Sequence, residues 1–192
     1  MKKRVGVLAL QGAFREHRQV LEYLGCEVIE VRNIGDLKGI DGLIIPGGES
    51  TAIGKHLQIN ELGEKIKELG AQDFPIFGTC AGMILLSKTI IASDQYRLNL
   101  MDTVVVRNGF GRQAASFEAD LLVPAIGSNP FHAVFIRAPY LQEVAPNVGI
   151  MAEHNGKIVF ARQGNFLASA FHPELTPDRR IHQYFLGMID KY

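Results

Sequence analysis

In the first half of the chain, apolar positions come as short unbroken runs separated by stretches with helical spacing. Val5–Leu10 is a run of the kind a buried parallel strand needs, since both of its faces are covered. Phe14, Val20, Leu21 and Leu24 then recur at helical spacing, and Gly25 stands where a C-terminal cap belongs. Val28–Val31 predicts a second strand, Leu43–Ile45 a third that ends at Pro46-Gly47-Gly48, and Pro75–Phe77 a fourth. Helical sequence covers 51–69 with an interruption at 58–60, and Met83–Ser87 begins another helix. This alternation predicts an α/β fold built on a doubly wound, mostly parallel sheet.

The second half has another texture. Thr103–Arg107, Phe117–Val123, Ala133–Arg137, Ile150–His154, Ile158–Gln163 and Phe166–Phe171 are short runs with turn residues between them. Asn155-Gly156 separates two of these and is a strong hairpin signal. Additional antiparallel strands are therefore expected in the C-terminal half, either extending the main sheet or packed over it. A last helix is expected over 177–189. No internal repeat, low-complexity tract or linker interrupts the chain, so residues 1–192 read as a single domain.

Composition narrows the function classes. Apolar residues make up 47% and charged residues 21%, the proportions of a globular protein. Lys+Arg and Asp+Glu each total 20, so no net charge draws the chain to nucleic acid or to an anionic membrane. The basic start at Lys2-Lys3-Arg4 runs into Val5–Leu10, but Gln11 and Arg15-Glu16-His17-Arg18 end the apolar run too early for a signal peptide. No stretch approaches the ~20 apolar residues that span a bilayer. A cytoplasmic protein is expected.

The two cysteines sit in different contexts. Gly78-Thr79-Cys80-Ala81-Gly82 lies between an apolar strand and an apolar helix, and is the thiol counterpart of the Gly-x-Ser-x-Gly nucleophile elbow. Such a turn lifts the nucleophile above the sheet, and the helix that follows points its N-terminus at the sulfur. Cys26, in Gly25-Cys26-Glu27 at a helix-to-strand boundary, reads as structural. A thiol nucleophile needs a base and an acceptor to orient it. Of the six histidines, His17, His56 and His182 fall in helical sequence, and His132 and His154 near strand ends or turns. His172 ends the run Phe166–Phe171 and precedes Pro173 and Glu174. An extended backbone before proline should send His172 and Glu174 to the same side.

Pro46-Gly47-Gly48-Glu49-Ser50 follows the third strand and precedes a helix. Its glycines let backbone N–H groups approach a ligand oxygen. A phosphate loop is excluded, because Glu49 and His56 stand where that pattern needs Gly and Ser or Thr. An oxyanion hole is the better reading, with donors from Gly47 and Gly48 and from the N–H of Ala81.

Together these motifs resemble the class I glutamine amidotransferases, and within them the glutaminase subunits of pyridoxal 5′-phosphate synthases. The resemblance covers essentially the whole chain. It is carried by 10–17 (Leu-Gln-Gly-Ala-Phe-Arg-Glu-His), 46–51, 78–82, 107–113 (Arg-Asn-Gly-Phe-Gly-Arg-Gln), 116–120, 135–139 and 171–176. It implies a flavodoxin-like sheet, a catalytic triad of Cys80, His172 and Glu174, and glutamine contacts from Gly48, Glu49, Ser50, Arg107, Ile136 and Arg137. The arginines suit a carboxylate, which a guanidinium can hold bidentately. No metal and no cofactor is implied. The implied reaction is hydrolysis of glutamine to glutamate and ammonia through a cysteine thioester. The ammonia passes to a synthase subunit, which joins it to pentose and triose phosphates, in a ring-shaped hetero-oligomer. Gly109 stands where the pattern leads one to expect Ser or Ala, a departure expected only to loosen a turn. The competing readings are a glutaminase serving another synthase, such as the imidazole glycerol phosphate enzyme, a cysteine peptidase-like hydrolase, and an idle subunit that keeps the fold.

Overall fold

The apolar runs of the first half lie side by side and form one flank of a ten-stranded sheet. The structure, a computed structural model, describes residues 2–111 and 115–192. Arg112 and Gln113 of the segment singled out above lie outside the described residues. Strands β1 (Arg4–Leu8), β2 (Glu27–Val31), β3 (Gly42–Ile45) and β4 (Ile76–Thr79) run parallel in the order β2-β1-β3-β4. β3 and β4 are buried throughout, as two-faced coverage by helices requires. Those helices are α1 (Phe14–Tyr23), α2 (Ser50–Ile59), α3 (Leu62–Gly70), α4 (Ala81–Leu86) and α5 (Arg180–Ile189). The interruption read at 58–60 is the step from α2 to α3, where Glu61 takes a left-handed φ of 56°.

The second half both extends this sheet and packs over it. The strands are β5 (Ser87–Ile90), β6 (Met101–Val106), β7 (Ser116–Leu121), β8 (Phe131–Ile136), β9 (Tyr140–Val144), β10 (Gly149–His154), β11 (Lys157–Gln163) and β12 (Phe166–Ser169). The main sheet continues as β4-β12-β11-β9-β6-β5, β10 pairs with β11, and β7 with β8 forms a separate two-stranded sheet. β12 departs from the antiparallel role expected of it. It runs parallel to β4 and antiparallel to β11, and all four of its residues are buried, as a central strand demands. β5 and β9 were not anticipated, because Ser-Lys-Thr-Ile and Tyr-Leu-Gln-Glu-Val show neither an apolar run nor a clean alternation. At Ser87 the chain passes straight from helix to strand, and the Ser87 hydroxyl donates to the Met83 carbonyl.

This topology gathers chemistry at one edge. β3, β4 and β12 are parallel neighbours, so the segments that leave their C-terminal ends, 46–50, 80–82 and 170–174, emerge side by side. Open α/β sheets place ligands at such an edge. The two-stranded sheet is tied to it, since the His172 N–H donates to the Val134 carbonyl at 2.8 Å. Among the described residues, no helix is long and apolar enough to cross a membrane.

Candidate active site

Cys80 sits between β4 and α4 with φ 49° and ψ −100°, a conformation that costs a non-glycine residue roughly 1–3 kcal/mol. The flanking glycines make the turn possible. A Cβ on Gly78 would lie 2.5 Å from the Gly82 carbonyl carbon, and one on Gly82 would lie 2.2 Å from the Ile45 carbonyl oxygen. The Cys80 N–H is fixed by the Ser169 carbonyl at 2.7 Å, which locks the elbow to β12. Its sulfur lies 3.8 Å from the Ile136 carbonyl oxygen, at the end of β8. Cys26 is also a free, buried thiol, and burial pushes its pKa up, as suits a structural role.

His172 faces Cys80 across Gly47. A Cβ on Gly47 would lie 2.3 Å from His172 Cε1 and 3.3 Å from Cys80 Cβ, so only glycine leaves room for both side chains. On its far side, His172 Nδ1 is 2.7 Å from Glu174 Oε1, and the Glu174 side chain is fully buried. The backbone differs from the extended form expected. His172 ends the strand segment at φ −106° and ψ 87°, and Pro173–Leu175 is a 3-10 turn that swings the carboxylate back under the imidazole. Burial opposes a charge on His172, but hydrogen bonds to Cys80 and Glu174 outweigh it and raise the imidazolium to about 10. Burial likewise opposes ionisation of Glu174, and the neighbouring His17 and His172 override it to hold the carboxyl below its usual range.

Two histidines read from the sequence only as parts of amphipathic helices lie beneath this pair. His17 of α1 and His182 of α5 have no exposed surface. His17 Nδ1 is 2.9 Å from His182 Nε2, and His17 Nε2 is 3.1 Å from Thr79 Oγ1. Burial pushes both imidazoles down, His182 to about 3. An unfolded chain protonates both as the pH falls through about 6.5, whereas the folded chain keeps them neutral, so this pair removes stability on acidification. His172 has the opposite sign: its raised pKa favours the fold below 6.5, and that gain is lost as the pH climbs towards about 10. His182→Gln should therefore flatten the dependence of unfolding free energy on pH between about 6.5 and 5, by roughly 1.4 kcal/mol per pH unit. Urea titrations across that range measure it, and an unchanged slope would contradict the account.

The glycine loop is fixed by its neighbours. The Gly47 N–H donates to Thr79 Oγ1 at 3.1 Å, and the Gly47 carbonyl accepts from the Ala13 N–H at 3.0 Å. The Gly47 N–H, expected as an oxyanion donor, is thus committed to Thr79. Gly48 N–H and the N–H of Ala81, in the open first turn of α4, are left as candidates. Gln11 Oε1 accepts from the Glu49 N–H at 2.7 Å, and the Glu49 carboxylate caps α2 through Thr51 and Ala52.

Every other sequence-derived contact residue borders one cavity of about 320 Å³. Gly48, Glu49, Ser50, Arg107, Ile136 and Arg137 line it together with Gly47, Cys80 and His172. Glu174 and Ala81 lie behind this lining rather than in it. Arg107 Nη2 is 3.5 Å from Glu49 Oε1, and Arg137 holds a left-handed φ of 43°. Two guanidinium groups and one carboxylate around a thiol suit an amino-acid zwitterion. Gly109, expected to slacken its turn, is tightly placed: a Cβ there would lie 2.1 Å from Tyr140 Cδ1. Lys157 braces the same turn by donating to the Gly109 carbonyl between the rings of Phe110 and Tyr140. A more open cleft of about 400 Å³, lined by Gln58, Lys67 and residues 94–97, lies elsewhere and contains neither Cys80 nor His172.

The whole chain has close relatives. Residues 7–191 match the model of the SNO glutamine amidotransferase family. A pyridoxal 5′-phosphate synthase subunit PdxT from Moorella thermoacetica is 59% identical over 186 residues, covering 97% of this chain and 99% of that one. Its counterpart from Carboxydothermus hydrogenoformans is 55% identical, covering 98% of each chain. Among solved structures, a glutamine amidotransferase crystal structure superposes with a TM-score of 0.93 at 47% identity, covering 97% of this chain and 98% of that one. PurLQS from Thermotoga maritima, at 17% identity and a TM-score of 0.73, covering 97% and 99%, shares the fold.

Proposed function

Because the chain belongs to the SNO glutamine amidotransferase family, we propose that it hydrolyses L-glutamine to L-glutamate and ammonia as the glutaminase subunit of a pyridoxal 5′-phosphate synthase. Its ammonia feeds the synthase subunit in vitamin B6 biosynthesis. Residues 1–192 act as one glutamine amidotransferase domain, and several copies decorate a ring of synthase subunits. The observation that carries the reading is the convergence of Cys80 and His172 over Gly47, with the far side of the imidazole held by the buried Glu174.

In this reading the Cys80 thiolate attacks the side-chain amide carbon of glutamine. Arg107 and Arg137 receive the substrate carboxylate, and Glu49 the ammonium. Gly48, Ser50 and Ile136 complete the contacts. The oxyanion that forms is met by the N–H groups of Gly48 and Ala81, a donor of this kind contributing ~3–4 kcal/mol. The raised pKa of His172 means that it enters the reaction as imidazolium, able to protonate the departing ammonia. The C–N bond breaks and leaves a γ-glutamyl thioester. Neutral His172 then takes a proton from water, the hydroxide displaces sulfur, and glutamate leaves with the thiolate–imidazolium pair restored.

The test is glutamate release from glutamine by the chain alone and with its cognate synthase. Turnover is expected with the synthase present and to be lower without it. No glutamate release from glutamine in the assembled complex would reject the proposal.

A further inference from the structure

Helix α1 delivers a polar side chain to the underside of the site that the reaction scheme leaves unused. His17 Nε2 lies 3.3 Å from Glu174 Oε2, the oxygen that His172 does not engage. That oxygen is buried and has no hydrogen-bond partner among the described residues, so the Nε2 of His17 at 3.3 Å approaches it without yet forming a hydrogen bond. Resting on the triad reading, we propose that His17 is a positioning residue: it donates its Nε2–H to Glu174 Oε2 and so keeps the carboxylate ionised and aimed at His172, while His182 sets its tautomer.

The tautomer follows from the neighbours. With the proton on Nε2, His17 Nδ1 accepts from His182 Nε2–H, and His182 Nδ1 is left as a buried lone pair. With the proton on Nδ1, Nε2 would accept from the Thr79 hydroxyl but also turn its lone pair to the carboxylate, and His182 Nδ1–H would be a buried donor without a partner. The second arrangement adds a repulsion and wastes a donor, so the first prevails. Thr79 Oγ1 lies 3.1 Å from the same Nε2 and already accepts the Gly47 N–H, so His17 also bears on the glycine loop. A carboxylate with no exposed surface needs this second donor, because each unmatched buried charge contact carries a large desolvation cost. The titratable and charged groups around the pair are His172 on the same turn, His182 on α5, and the more distant Glu16 and Arg179.

Two amides separate this role from simple packing. The side-chain nitrogen of glutamine reaches the position of imidazole Nε2, whereas the shorter amide of asparagine reaches only the position of Nδ1, where its oxygen accepts from His182. His17→Gln thus keeps a donor on Glu174, and His17→Asn keeps only the link to His182. In the complex with the cognate synthase, His17→Asn should lower kcat for glutamine hydrolysis by about 10–100-fold with KM within about twofold. The acid limb of its kcat/KM profile should move up by about one pH unit or more, since Glu174 loses a group that holds its pKa down. His17→Gln should recover most of kcat and return the limb. Equal kcat and equal acid limbs for both variants, whether both high or both low, would overturn the inference. Cys80→Ala, run beside them, keeps the two readings apart. If it retains hydrolysis the triad itself fails, and if it is dead while the amides are indistinguishable only the role of His17 fails.

Discussion

Cys80→Ala is expected to abolish glutamine hydrolysis by the assembled complex while pyridoxal phosphate formation from added ammonium salt continues. The substitution removes the sulfur that forms the thioester and almost nothing else. Alanine meets the same strained φ of 49° as cysteine, so the elbow and its hydrogen bond to Ser169 should survive, and thermal stability should change little. Loss of the nucleophile in a serine–histidine–carboxylate site costs on the order of 10⁶ in kcat, and a comparable loss should apply here. Glutamate release and pyridoxal phosphate absorbance, measured with glutamine and then with ammonium, separate the two half-reactions. Glutaminase turnover retained within tenfold would sink the thioester mechanism. Loss of both activities would instead show that the variant no longer assembles.

Much of this site was legible before any coordinates, and the parts that were not share a physical cause. Cys80, His172 and the glycine loop are marked by apolar runs that end abruptly in small or reactive residues, a pattern that strand ends in an open α/β sheet impose. Glu174 reaches His172 by a backbone route other than the extended one expected. Sequence tells that proline follows His172 but not that a 3-10 turn does, and the turn is what brings the carboxylate to 2.7 Å. The direction of an N–H is invisible in sequence, which is why Gly47 read as an oxyanion donor although Thr79 holds it. His17 and His182 were hidden because a buried polar face of a helix has the same periodicity as a buried apolar one. The contact between them joins positions 165 residues apart. Gly109 shows the converse error: an apparent slack point is a tight one, because the Tyr140 ring occupies the space of its absent Cβ.

Glu174→Gln should be the most damaging change that leaves the cavity lining untouched, with kcat down by about 10³–10⁴ and only a minor change in KM. The side chain keeps its volume in a site with no exposed surface, so the fold should persist. What disappears is a negative charge against two imidazoles. If the amide oxygen meets His172, the ring keeps its tautomer but loses the anion that stabilises imidazolium. If the amide nitrogen meets it, Nδ1 must become the acceptor, and the ring is held neutral, without the second proton that the departing ammonia needs. Either outcome lowers the His172 pKa from about 10, because a main cause of the rise is removed. The sign can be checked without substrate. The His172 imidazole, followed by NMR in the free protein, should titrate at lower pH in Glu174→Gln than in the parent. Parent-like kcat and an unshifted His172 titration in Glu174→Gln would mean that the carboxylate merely fills space, and the chemistry would then rest on Cys80 and His172 alone.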